Sequence, residues 1–436
     1  MQGRNVFIIG CGSIGQGLIP LLFKHFYMEQ SRVVVITADE RGKALAQYYG
    51  CSFLIEPLGP LNFEYVLDNV GHKPGDIMIN VSVDVSSIDL MNYCNEHGLM
   101  YTDTCVEPWR GGYQQGMTNA GLRTAALMSR KIEDTPTALI AHGANPGLVT
   151  HLLKEGLREL SYERRVIYDH EATAFSAFGF KAVHIAERDT QDNDEERPSG
   201  KFVNTWSVDG LLSELYQQAE IGVGTHEPFN HNMFPTSRIS AKLPTRSADT
   251  KVKSWVPSGG AQDAYLITHH ESISLAAFLE DSDGNRPTVL YAYNPSRLTR
   301  ESIEEWRATG LQEPKHKEVM KGVTQGFDEL GVLMIGPSHS YWYGSKLYAE
   351  DARKLMPQDS LHLIEGFNAT TLQVTATLIG GLKWMLKWPN EGVVEAEDID
   401  SSLVLKYAHQ YIGDVRGHFT AWSFGNCSFN NFLIQK

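Results

Sequence analysis

The chain has 436 residues, more than a single hydrophobic core usually serves, so two domains are expected. Its 42% hydrophobic and 21% charged residues match a packed globular protein and exclude a disordered one. A formal net charge of −14 disfavours nonspecific binding to phosphate backbones, so nucleic acid is not an expected partner.

Residues 5–105 alternate short apolar runs with helical patterns. Strands are predicted at Asn5–Ile9, Arg32–Thr37, Ile77–Val81 and Leu99–Thr102, and helices at Ile14–His25, Gly42–Tyr49 and Ser86–His97. This βαβ succession predicts an α/β fold with an N-terminal Rossmann domain, a doubly wound parallel sheet that binds ligands at the carboxyl ends of its strands. Ile14, Leu18, Leu21, Leu22 and Phe26 recur at three- and four-residue spacings, which gives the first helix one face to pack on the sheet.

Between the first strand and that helix stands Gly10-Cys11-Gly12-Ser13-Ile14-Gly15, a G-x-G-x-x-G pattern in the context that gives it meaning. Gly10 permits a tight turn, Gly12 lets a pyrophosphate approach the backbone, and Gly15 lets the helix lie close to the strand. The helix N-terminus, beginning with Ser13 and Ile14, offers N–H groups and a partial positive charge to phosphates. Asp39, at the end of the second strand, places a carboxylate where it accepts from ribose hydroxyls and repels a 2′-phosphate. This favours NAD, while Arg41 close by keeps NADP open.

Farther on, Thr137–Ala141 reads as a strand leading into His142-Gly143-Ala144-Asn145-Pro146-Gly147 and an amphipathic helix to about Leu160. Arg165–Tyr168, Ala182–Ile185, Ala264–Thr268 and Thr288–Tyr293 read as strands of a second, mixed α/β domain, and Arg188–Gly200 as an exposed loop. Leu361–Trp388 reads as a tightly packed helix ended by Pro389. The Asn368-Ala369-Thr370 glycosylation sequon is a chance match in a chain without a secretory signal. No apolar run reaches the roughly 18–20 residues of a membrane span, so the expectation is a cytoplasmic protein without a membrane partner. The expected division is a nucleotide-binding domain at 1–146, completed by a return at about 385–436, and a substrate domain at 147–384.

Metal is not expected. The five cysteines show no C-x-x-C spacing and the sixteen histidines no H-E-x-x-H pattern; His269-His270-Glu271 reads as strand neighbours on opposite faces. A G-x-S-x-G elbow is absent too, which disfavours a serine hydrolase.

Four segments carry a closer likeness: Asn80-Val81-Ser82, Asp103-Thr104-Cys105-Val106-Glu107-Pro108-Trp109, His142 through Leu148, and Ala182-Val183-His184-Ile185-Ala186-Glu187-Arg188-Asp189-Thr190-Gln191. Together with Glu365–Thr370 and Gly392–Glu395, they resemble the bacterial homospermidine synthases, a family grouped with the saccharopine-dehydrogenase-like enzymes. The resemblance covers essentially the whole chain. It implies a homodimer with tightly held NAD that makes homospermidine from two putrescines, or from putrescine and spermidine, with no net redox change. The second domain would then also serve dimerisation.

Carried over by motif, Glu107 and Asp84 line an inner amine site, Trp206 offers a cation–π surface, and Glu187, Glu214 and Asn145 orient substrate amines. His269 joins them, with His270 beside it leaving the register open. Asn80, Ser82, Thr104, Asn145 and Pro146 complete the implied cofactor set. The chemistry suits these residue types, because a diamine brings two ammonium groups and its reacting end must lose a proton before its carbon can lose hydride. An indole face would stabilise cationic intermediates.

Each residue also has a structural reading. Glu107 is a loop carboxylate, Trp206 precedes an expected helix start at Ser207 and fits a core, and Glu187 fits an ion pair with Arg188 or Lys181. Glu214 borders the apolar stripe of Val208, Leu211, Leu212 and Leu215, and faces either a pocket or solvent. His184 reads as a satisfied strand histidine. An alternative function is a saccharopine- or carboxynorspermidine-type dehydrogenase, which needs a cation for a substrate carboxylate; Arg110, Lys181 and Arg188 keep it open. A noncatalytic NAD-binding protein on the same fold is a third.

Overall fold

The computed structural model describes residues 1–129, 135–228 and 233–434. Residues 130–134 and 435–436, inside the expected nucleotide domain and its return, lie outside the described residues.

The first sheet is parallel throughout. Its strands are β1 (Val6–Ile9), β2 (Val33–Thr37), β3 (Ser52–Ile55), β4 (Ile77–Asn80), β5 (Met100–Asp103), β6 (Ala138–Leu139) and Val393–Val394. Their order is Val393–Val394, β6, β5, β4, β1, β2, β3. Successive strands therefore run outward from β1 on one side and from β4 on the other, so a crevice opens beyond the carboxyl ends of β1 and β4. Every residue of β1 and β4 is buried, because helices cover both faces of such a sheet. The expected strand at 137–141 is cut short: Ala141 turns into the left-handed region at φ 51°, and its N–H is taken by Asp103 Oδ1 at 2.6 Å.

The second sheet has ten strands among the described residues. At its centre Ala182–Asp189 pairs in parallel with Thr288–Asn294 and antiparallel with Phe327–Ile335, which forms a hairpin with Ser340–Tyr348. Of the residues expected to return to the nucleotide domain, Val393–Val394 join the first sheet and Asp414–Thr420 the edge of the second. One apolar core runs from the first sheet through helix Ala369–Lys387 into the second.

Two sequence readings are corrected. Arg165–Tyr168 is not a strand: the preceding helix runs Leu148–Arg164, Arg165 closes it at φ 56°, and Ile167 is 97% exposed with no strand beside it. His269-His270-Glu271 is not in a strand either; His269 caps the helix His270–Phe278. The stretch Arg188–Gly200 is only partly the exposed loop expected. Gln191 is fully buried, Asp192 pairs with Arg297 at 2.8 Å and Arg197 with Glu305 at 2.5 Å. Asn368 is buried as the cap of helix Ala369–Lys387, where its side chain accepts from Thr371 N–H at 3.0 Å, so the sequon serves a helix start. Among the described residues, no helix is long and apolar enough to cross a membrane.

Candidate functional site

The crevice holds a cavity of about 410 Å³, lined by Gly10, Gly12, Ser13, Ile14 and Ser82 among others. At φ 93°, Gly10 turns the chain where a Cβ would come within 3.0 Å of the Ser82 backbone. A Cβ on Gly15 would lie 2.6 Å from the Gly10 carbonyl oxygen, so only glycine lets the helix Ser13–His25 start this close to β1. No side chain caps that helix, and its first-turn N–H groups face the cavity side. This cradle of backbone donors fits the pyrophosphate of a dinucleotide.

At the far end of the cavity Arg41 lines the wall, held by Asp39 through hydrogen bonds from its N–H at 2.9 Å and Nε at 2.8 Å. Burial is the largest single influence and pushes the Asp39 pKa up, but the bonds and charge of Arg41 together outweigh it and hold the carboxyl below its ordinary value. Asp39 itself stands behind Arg41 rather than on the cavity wall, and both guanidinium groups that line the cavity, Arg41 and Arg110, are engaged by aspartates. The opposite wall, Ser207–Asp209 and Lys317–Val319, was not foreseen, since His316–Val319 is a short polar strand without a pattern.

Of the expected cofactor residues, Gly15, Asp39, Asn80, Thr104, Asn145 and Pro146 do not line this cavity. Asn80 sits beneath it, its Oδ1 accepting from Ser82 N–H at 3.2 Å and Oγ at 2.5 Å. Thr104 packs on Gly143, and Pro146 faces a closed internal gap beside Glu271, Glu395 and Glu397. A buried chain of bonds continues from Asn80: its Nδ2 donates to the Tyr101 hydroxyl at 3.3 Å, which donates to Asp103 Oδ2 at 2.9 Å. Asp103 then holds the Ala141 N–H at the start of the turn that carries Asn145. The cofactor edge and that turn are thus tied through groups 0–2% exposed.

Beyond the cavity, the inner face of the second sheet meets helix Val208–Tyr216 and the loop after β5, and it is strongly acidic. Strand alternation puts Glu187 and Asp189 on one face, opposite Tyr293 on one neighbour and Leu330 and Asp328 on the other. The Tyr291 hydroxyl donates to Glu187 Oε2 at 2.7 Å. Burial first, then Asp189, raises the Glu187 pKa to about 8. Glu107, whose N–H is held by Ser87 Oγ at 3.0 Å, is also raised to about 8, by burial and then by Asp84. Glu214 is pushed well above the ordinary carboxylate range by burial, then by Glu107 and Glu187, so both lie within electrostatic reach of it.

Among the described residues, no Lys or Arg is ion-paired with Glu107, Glu187 or Glu214. Arg110 instead pairs with Asp84 at 3.1 Å on the cavity rim, Arg188 leaves on the other face of its strand toward Ser258, and Lys181 is exposed.

The remaining expected residues gather here too. Asn145 lies beside Glu187, with both side-chain polar atoms buried and unpaired. His269 stands edge-on to Tyr291 at 5.1 Å, with Nδ1 buried and unpaired. Burial, then His270, lowers its pKa to about 3, so the ring is neutral. His270 points away to Glu395 at 2.8 Å, in a cluster that Arg123 completes. Trp206, partly buried, lies over Gly210 and beside the Tyr293 hydroxyl. Ser207 caps the helix that carries Glu214, as expected, and His184 is a fully buried strand residue bonded to Ser254.

Sequence reasoning assigned no role to Asp189 and none to Asp328. Asp189 accepts from Thr205 Oγ1 at 2.6 Å and Asp328 from Thr370 Oγ1 at 2.6 Å. Asp189 stood inside a recognised segment; Asp328 had no motif around it.

Comparison with known proteins agrees with this geometry. Residues 6–139 match the saccharopine dehydrogenase NADP binding domain and residues 143–418 the saccharopine dehydrogenase C-terminal domain. The homospermidine synthase of Mesorhizobium japonicum is 37% identical over 96% of this chain and 90% of its own, and that of Blastochloris viridis 37% identical over 96% and 91%. The crystal structure of homospermidine synthase from Legionella pneumophila in complex with NAD superposes with a TM-score of 0.91 at 35% identity, covering 100% of this chain and 99% of that one. Saccharopine dehydrogenase from Saccharomyces cerevisiae, at 12% identity and a TM-score of 0.54, shares the fold. This chain belongs to the homospermidine synthase family.

Proposed function

We propose that the protein is an NAD-dependent homospermidine synthase, an aminoalkyl transferase that condenses two putrescines, or putrescine and spermidine, with release of ammonia or diaminopropane. The observation that carries this reading is the group Glu107, Glu187 and Glu214: buried Glu187 and half-buried Glu107 both press on Glu214, and none of the three has a cationic partner in the described structure. Unpaired like charges in one space are costly. A diammonium ligand relieves that cost and supplies the missing counter-charges.

When bound, NAD supplies a two-electron acceptor that, once reduced, returns the same hydride, so an amine becomes an imine and the new imine an amine without net oxidation. NAD rather than NADP is supported by Asp39 and by the NAD in the Legionella complex, although the matching family model is named for NADP. Glu107, with Asp84 behind it, anchors the inner ammonium. Glu187, whose raised pKa lets it hold or release a proton near neutrality, takes the proton from the reacting amine, and the Tyr291 hydroxyl fixes its orientation. Neutral His269 offers a lone pair or an N–H to the same amine without adding positive charge. Trp206 shields and stabilises the cationic carbon centre while ammonia leaves and the second amine attacks. Asp189 and Asp328 continue the acidic surface toward the entering diamine.

A saccharopine-type reaction calls for a cation to hold a substrate carboxylate, and Arg110, Lys181 and Arg188 all lie away from the acidic space. The same proposal takes residues 1–146, with part of 385–436, as the cofactor domain, 147–384 as the substrate and dimerisation domain, and the enzyme as a cytoplasmic homodimer. Equilibrium binding with NAD present tests the substrate class: putrescine is expected to bind more tightly than lysine, whose carboxylate would meet the acids. Tighter lysine binding would sink the diamine reading.

A further inference from the structure

At the amino ends of the parallel strands, opposite the glycine turn, helix Phe63–Asn69 and the last turn of helix Ser87–His97 bring Asp68, His72 and His97 together. One ligand-type atom of each lies within 4.8 Å of the others. The two imidazoles stand edge to face with centroids 4.7 Å apart, and His97 stacks on Tyr93 at 4.2 Å. The Tyr93 hydroxyl donates to Asp68 Oδ1 at 2.6 Å and accepts from His72 Nε2 at 2.6 Å, while Nε2 and Oδ1 are 3.9 Å apart.

We propose that Asp68, His72 and His97 form a site for one divalent transition metal of the zinc type, with Tyr93 as the hydrogen-bonding partner of the ligating carboxylate. Two imidazoles and a carboxylate are the three-ligand set that holds zinc with a solvent molecule in the fourth position. A tetrahedral ion puts its ligand atoms roughly 3.4 Å apart. The observed 3.9 Å between His72 and Asp68 closes to that spacing by rotation of Asp68, whose side chain is 58% exposed. The His97 ligand atom lies within 4.8 Å of the other two, and His97 sits in a last helical turn, where the helix field favours a cation. Tyr93, 5% exposed, already orients the carboxylate as an outer partner does in built metal sites. On binding, His72 changes tautomer: the proton that Nε2 shares with Tyr93 passes to solvent while Nδ1 takes one up, so the neutral ring turns its Nε2 lone pair to the metal and Tyr93 keeps its bond to Asp68.

The sequence offers no local pattern for this site, because its ligands come from two helix ends and an intervening loop. The strand Ile77–Asn80, roughly 13 Å long, separates this end of the sheet from the cofactor crevice. The metal would clip the two helices together rather than take part in amine chemistry.

The test uses the full-length enzyme, stripped with EDTA, exchanged into buffer and titrated with Zn²⁺ by calorimetry and with Co²⁺ by visible absorption. Uptake of one equivalent, the bands of four-coordinate Co²⁺ and a raised melting temperature are expected. His72→Ala and His97→Ala should each weaken binding roughly 10- to 100-fold or more, with putrescine turnover unchanged. If either fails to fold, Asp68→Asn, at an exposed position, serves the same comparison. Absence of saturable uptake, or equal affinity in His97→Ala and Asp68→Asn, would overturn the proposal and assign any bound metal to acids elsewhere.

Discussion

In the proposed reaction, Glu107 is the residue on which amine binding turns. Glu107→Gln keeps the shape and removes the charge, so putrescine binding should weaken by about 2 kcal/mol or more, the scale for breaking a buried charge pair. NAD affinity should hold. Calorimetric titration with putrescine in the presence of NAD checks this, and unaltered diamine affinity would displace Glu107 from the anchor role. Asp103→Asn probes the buried tie between Ser82 and the Asn145 turn. An amide cannot accept from both Ala141 N–H and the Tyr101 hydroxyl as the carboxylate does. The expected result is a lower kcat with little change in the KM for putrescine, and equal loss in both would point to general damage. Glu107, Glu187 and Asn145 stood out in the sequence because each falls in a segment that carries the family resemblance, whereas Trp206 and Glu214 lie outside those segments and came only with the resemblance as a whole. Asp328 was not, since a buried aspartate in a strand is read as a strand end until its cross-strand partner Asp189 is known. The choice between His269 and His270 likewise turned on a helix start that strand-like neighbours hid.

At the scale of elements, the glycine turn and the helix after it were plain, because local rules decide them. Gly15→Ala places a Cβ 2.6 Å from the Gly10 carbonyl oxygen. It should cost NAD affinity while the second sheet is untouched; normal NAD binding in this variant would contradict the crevice as the cofactor site. Asn368→Ala removes the cap of the helix that links the two sheets and should cost about 1 kcal/mol, read as a lower melting temperature. The hairpin Phe327–Ile335 and Ser340–Tyr348 escaped the sequence reading because its buried polar residues, Asp328, Glu329 and Ser345, break the apolar run that marks a central strand. Arg165–Tyr168 erred in the opposite sense: its apolar and β-branched residues look like a strand, yet no neighbour pairs with it and a left-handed Arg165 only ends a helix.

Over the whole molecule, buried acids make stability depend on pH in an unusual direction. Glu107, Glu187 and Glu271 each have a pKa raised from 4.5 to about 8. The folded chain therefore binds more protons than the unfolded chain between those values, so this stability is fully present below about 4.5 and is lost as pH rises through about 8. Glu395 runs the other way: burial opposes it, but His270 and Arg123 hold it at about 2, and its contribution is lost only in strong acid. The melting temperature without diamine should thus fall between about pH 5 and 8, and putrescine should restore it most at the upper end. A melting temperature that rises over this window and ignores putrescine would mean that the acids are not poised for amines. The most direct measurement of the central claim incubates the enzyme with putrescine and NAD⁺ and follows homospermidine and ammonia by mass spectrometry, with NADH absorbance recorded alongside. Homospermidine and ammonia in equal amounts, without accumulating NADH, are the predicted result; no product, or NADH rising in step with putrescine consumed, would contradict it.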